Sequence, residues 1–156
     1  MSTVVSDSPA MAVTVRPWPD PVLDRLGFDP RSPYAERFWL PTLGPSSMWF
    51  LRRLAAGLET EPAGFELDFE EAARSLGLSA RGGRHSQFVR TVTRCIQFHV
   101  VHHDEEEGVL LARRKLPALN RYQVSRLPDR LQRDHEWWLT EAGEEAQDER
   151  LRTRAR

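Results

Sequence analysis

The run from Asp68 to Gln97 constrains the fold more than any other part of the chain, because it fixes two helices, their faces and the bend between them. Asp68 and Glu71, three residues apart, form a capping box in which each side chain satisfies a backbone N–H at the helix start. Phe69, Ala72, Ala73 and Leu76 make the apolar face of that helix, and Gly77 can take the positive φ that turns the chain. After the loop Ser79 to His85, a second helix from Ser86 to Gln97 divides cleanly at ~100° per residue. Phe88, Val92, Cys95 and Ile96 point one way with Val89 at the edge, and Gln87, Arg90, Thr91 and Arg94 point the other. Any amphipathic helix must put polar residues on its solvated side. From Ser79 to Gln97, however, there are four arginines and no acidic residue, which argues against a solvated face of mixed charge.

The sequence that follows completes a pattern. Phe98 to His102 is β-branched and aromatic, Asp104 to Gly108 is a turn, and Val109 to Arg113 is a second strand. Gly64 to Leu67 alternates like a short strand, expected to pair with this hairpin as a third member. The order helix, helix, hairpin, with small Ala73 where the helices cross and Leu76 and Leu78 flanking Gly77, resembles the winged helix-turn-helix superfamily. The resemblance runs from Glu66 to Pro117, about a third of the chain. It implies a fold that is mainly α with a small antiparallel β-hairpin (α+β), a winged helix-turn-helix with extra N- and C-terminal helices. It also implies binding of double-stranded DNA, with the helix 86–97 in the major groove and Gln87, Arg90, Thr91 and Arg94 facing bases or phosphates. Arg81, Arg84, His85 and Ser86 would meet the backbone ahead of the helix, and Arg113, Arg114 and Lys115 would do so from the returning strand. The purpose expected of such a protein is transcriptional regulation.

The chain departs from that family twice. The connection between Gly77 and Phe88 is longer than in a tight helix-turn-helix and carries Gly82-Gly83, so it is either a phosphate-contacting loop or a loose one. The hairpin tip, Asp104 to Glu107, is acidic and would repel phosphates, so the tip is expected to stay off DNA. The same acidity suits a basic protein partner, which leaves a second reading open: a winged-helix interaction module or adaptor with no DNA ligand.

Around this unit the expected organisation is a disordered tail over 1–17, an aromatic arm over 18–43 packing on the domain, and the domain itself over 44–117. C-terminal helices over 118–141 and a charged flexible tail over 142–156 complete it. In the arm, Val22, Leu23 and Leu26 line a short helix closing at Gly27, while Pro33 and Pro41 break the aromatic segment around Tyr34, Phe38 and Trp39. Pro45 opens a helix carrying Phe50, Leu51, Leu54, Ala55 and Leu58, ended by Gly57 and the Glu61-Pro62 pair. Asn120 and Gln123 make a further capping box, and Pro128 starts a last helix with Leu131, His135, Trp138 and Leu139. Of the Trp137-Trp138 pair at least one is expected to be buried, against the domain core or in a homodimer through the C-terminal helices.

Composition excludes several other classes. At 156 residues the chain is short for two ordinary domains. With 22 basic and 23 acidic residues, attraction to nucleic acid must come from local clustering. Every basic residue but Lys115 is arginine, a usage that reflects a GC-rich genome most simply and also suits bidentate contacts to guanine and phosphate. Cys95 is the only cysteine, so no internal disulfide forms and a reduced cytoplasm is expected. No apolar run approaches a membrane span, and Met1 to Val15 lacks the features of a signal peptide. Cys95, His99, His102 and His103 are potential zinc ligands by type. Helix and strand geometry separates them, favouring a buried thiol and surface histidines over a metal site. No catalytic motif, cofactor or metal site is expected, and Glu70-Glu71 complement a helix dipole.

Overall fold

The computed structural model describes residues 12–154, with side chains through residue 141, and divides the chain into two compact units, 1–118 and 119–156. The first is an α+β unit around a four-stranded mixed sheet. Strand β1 is Ala12–Pro17, β2 Phe65–Asp68, β3 Val101–Asp104 and β4 Val109–Ala112, and the spatial order is β2-β1-β4-β3. Helices α1 (Pro21–Leu26), α2 (Leu40–Leu43), α3 (Pro45–Thr60), α4 (Phe69–Ser75) and α5 (Gln87–Gln97) complete it.

Strand β1 corrects the expected disordered tail over 1–17. Residues 1–11 lie outside the described residues, but Ala12–Pro17 is a strand at the centre of the sheet. Its alternation explains why: Val13 and Val15 are buried while Thr14 and Arg16 face outward, the period-2 pattern of a strand with one face in a core. β1 runs antiparallel to β2, with Val13 opposite Leu67, and parallel to β4, with Val15 opposite Leu110. The strand at Leu67 therefore does not pair with the hairpin as expected, because β1 takes the place beside β4. In the hairpin itself β3 begins only at Val101, since Phe98 and His99 form the end of α5. His99 there has φ 58°, and Val100 N–H reaches back to Cys95 O, the hydrogen-bonding of a Schellman-type helix end.

The aromatic arm is more ordered than its prolines suggest. Ala35–Trp39 forms a π-helical turn that runs without a break into α2, and Pro41, which cannot donate to the helical ladder, falls just after this wider turn. Tyr34, Phe38 and Trp39 are buried, and Trp39 Nε1 donates to Pro117 O at 2.8 Å. Phe28 exchanges two backbone hydrogen bonds with Leu116, holding the arm to the chain that leaves β4. Helix α1 forms as expected with Asp20 as its cap, but Val22 and Leu26 remain exposed. Helix α3 runs through Gly57 to Thr60. That glycine does not end it; a Cβ there would lie 2.5 Å from the Phe65 ring, so its bare face lets β2 pack against α3.

The core lies where α3, α4 and α5 meet. Phe88 is edge-on to both Phe50 and Phe69, with ring centroids 5.5 and 5.3 Å away. The second unit contains α6 (Arg121–Ser125), opened by the expected Asn120–Gln123 capping box, and α7 (Asp129–Arg154). α7 continues as helix through 142–154, the greater part of the segment expected to be a flexible tail. Trp137 is exposed and Trp138 half-buried within the chain, so the burial of one of them against the domain core does not occur.

Candidate nucleic-acid interface

Helix α4 ends as its sequence dictates. Gly77 takes φ 70° and Leu78 N–H donates to Ala73 O at 2.8 Å, which closes the last turn and redirects the chain. The long connection to α5 is pinned at its base rather than loose. Ser79 O accepts Phe88 N–H at 3.1 Å, and Ser79 N–H donates to Gln87 Oε1 at 3.0 Å. Residues 80–86 therefore project as a closed excursion from the first turn of α5. Gly82 and Gly83 both have positive φ, and a short 3₁₀ turn over Gly83–His85 lifts Arg81, Arg84 and His85 into solvent.

Of the residues expected to meet DNA, the structure brings Arg81, Arg84, His85, Gln87, Arg90 and Arg94 to one end and one face of α5, all exposed. Ser86 and Thr91 are not among them. Ser86 is buried because its hydroxyl caps α5 through Val89 N–H at 3.1 Å. Thr91 is buried because the start of α3 crosses α5 there: Ser47 Oγ donates to Thr91 O at 3.2 Å, and Thr91 Oγ1 donates to Gln87 O at 2.9 Å. Arg113 is also withdrawn. Its Nε donates to His99 O and its Nη1 to Asp20 at 3.0 Å, and its guanidinium lies 4.0 Å from the Trp18 ring. It stands at the far end of α5 from Arg81 and Arg84, about 15 Å away along the helix axis. Arg114 remains exposed, with Nη2 at 3.4 Å from Pro62 O.

The solvent face of α5 is thus rotated away from Thr91 and centred on Arg90. Gln97, roughly 20° from Arg90 around the helix at 100° per residue, is exposed, and Thr93 is half-exposed at its edge. Neither was expected as a site residue, although Thr91, roughly 40° from the apolar Cys95, already fell on the margin of the buried face. A shallow depression of about 460 Å³ borders this face, lined by Leu43, Gly44, Ser46, Gln87, Arg90 and Arg94.

Arg90, Arg81 and Arg84 make no side-chain hydrogen bond or ion pair among the described residues. Arg94 differs, since its Nε donates to Leu43 O at 2.6 Å and its Nη2 to Thr42 O at 3.0 Å. It ties α5 to the end of α2 and keeps only its outer N–H groups for a ligand. The acidic hairpin tip is partly neutralised, because Arg16 of β1 pairs with Glu107 at 3.0 Å. Asp104 is occupied with the turn, accepting from the N–H groups of Glu106 and Glu107.

Burial pushes the Cys95 thiol up to about 12, so it is neutral and poorly suited to bind a metal or attack an electrophile. No group of three or more potential metal ligands occurs among the described residues, and no described helix is long and apolar enough to cross a membrane. No family model, curated protein or solved structure matches the chain.

Proposed function

We propose that α3, β2, α4, α5 and the β3–β4 hairpin constitute a winged helix-turn-helix unit and that the protein binds double-stranded DNA through α5, as a cytoplasmic regulator of transcription. The observation that supports this best is the uncompensated cationic surface of α5. Arg90 at its centre and Arg81 and Arg84 at its leading end have no carboxylate partner among the described residues, on a helix that follows a glycine-closed turn. Unpaired guanidinium groups on a firmly packed helix suit phosphate oxygens and base edges. Arg94 holds the helix at its angle to α2. The role is one of binding, with no catalytic step assigned to any residue. A homodimer through the second unit would raise affinity, with the exposed Tyr122, Trp137 and Leu139 as its apolar contacts.

The test is titration of the full chain against a mixed-sequence duplex at two salt concentrations. Replacing Arg84 and Arg90 together by alanine is expected to weaken binding. It should also flatten the dependence of log K on log salt by about 0.9 for each phosphate that the variant no longer neutralises. An unchanged slope would overturn the assignment of α5. The exposed Glu105 and Glu106 at the hairpin tip favour a second reading, docking of a basic protein. Absence of duplex binding even at low salt would turn the proposal to that partner.

A further inference from the structure

The solvent face of α5 presents donors where a base reader meets the groove. Gln87 directs its Oε1 back to Ser79 N–H at 3.0 Å, which fixes the plane of the amide and leaves Nε2, a pure donor, as its outward group. Arg90, one turn further on, is exposed, has no side-chain partner among the described residues and carries only donors. No carboxylate occurs between Ser79 and Gln97, and on α5 itself Gln87 and Arg90 offer the groove only donors, so the exocyclic amino group of cytosine or adenine would find an acceptor only on His85 or Ser79 in the preceding loop. In the major groove guanine shows two adjacent acceptors, O6 and N7. Adenine pairs an acceptor with a donor, and cytosine shows a donor. Gln97 keeps a free amide, but it lies about 15 Å along the axis from Gln87, beyond the helix start that enters the groove.

Resting on the DNA-binding proposal, we infer that α5 selects two neighbouring guanines, one held by the Arg90 guanidinium at O6 and N7, the next by Gln87 Nε2. Side chains three apart on a helix stand about 5–6 Å from each other, which fits the ~3.4 Å step between stacked bases with the modest splay that longer side chains allow. The firm attachment of the Gln87 amide to Ser79 matters to this choice. A freely rotating glutamine can turn its oxygen outward and accept adenine N6, whereas this one is committed by the loop that precedes the helix. Arg94, anchored to Leu43 and Thr42, acts as a positioning residue that sets the depth of α5.

The experiment is selection of the full chain on a randomised duplex pool, followed by affinity measurements on the selected duplex with single guanines replaced by 7-deazaguanine. Adjacent guanines are expected in the selected sequence. The deaza replacement under Arg90 should weaken wild-type binding on the order of tenfold, and Arg90→Ala should bind both duplexes equally. A selected sequence without neighbouring guanines, or equal sensitivity of wild type and Arg90→Ala to the deaza base, overturns the guanine inference while DNA binding stands. Failure to retain any duplex overturns both.

Discussion

Several side chains have roles that their type alone does not announce. His99 occupies the left-handed position that closes α5, at φ 58°, where a Cβ is disfavoured by about 1–2 kcal/mol. His99→Gly should raise stability by about 0.5–1 kcal/mol, read as a shift in urea midpoint at unchanged slope. Gly27 shows the opposite constraint. A Cβ there would lie 2.6 Å from Leu23 O and 2.6 Å from Lys115 Cβ, so Gly27→Ala should cost about 1–3 kcal/mol and lower the thermal midpoint. Cys95, fully buried with its pKa raised by desolvation, should resist alkylation at neutral pH until the unit opens. Rapid labelling of the native chain by a thiol reagent would contradict the packing of α3 on α5. Arg113 illustrates how a residue's role escapes the sequence. An arginine after a strand suggests a phosphate contact, but only the folded chain brings Trp18 and Asp20 from over ninety residues away to enclose it.

Among the elements, β1 changes the architecture most. It separates β2 from β4 and gives each a hydrogen-bonded partner, so a strand from the N-terminal region binds the helical region to the hairpin. Val15→Ala should destabilise by about 2 kcal/mol, because Val15 is completely buried between two strands. Removal of residues 1–17 should abolish the cooperative thermal transition, since β2 and β4 would each expose an unpaired edge. A truncated chain that melts as sharply as the full one would show the sheet closing without β1. Helix α5 is legible in the sequence as an element, starting at Ser86 with its apolar stripe through Phe88, Val92 and Cys95, while the capping role of Ser86 is visible only in the structure. Its orientation is legible only to within about 40° around the axis: threonine is tolerated on either face, and the crossing of α3 at Ser47 decides that Thr91 is buried.

For the whole molecule, acid stability follows from the few groups whose titration the fold alters. His135 is buried, and desolvation lowers its pKa from 6.5. The unfolded chain therefore takes up that proton more readily, and stability should decline as the pH falls below about 6.5. Asp20, held low first by Leu23 N–H and then by Arg113, and Asp29, held low by Arg31, act further down. Their contribution is present above about 4 and is lost as the pH falls through their depressed values. Urea midpoints measured from pH 8 to pH 3 should show two declines, and His135→Gln should remove the first. The sequence by itself determined the helix cap at Asp68, the full capping box at Asn120 and Gln123, the glycine-closed turn at Gly77, the acidic hairpin and the local excess of arginine, because each is set by residues within a few positions of one another. Only the tertiary structure decided the sheet order, the division into two units, the burial of Ser86 and Thr91 and the withdrawal of Arg113. Those outcomes depend on which distant surfaces come into contact, and a side chain's local pattern does not record its long-range neighbours.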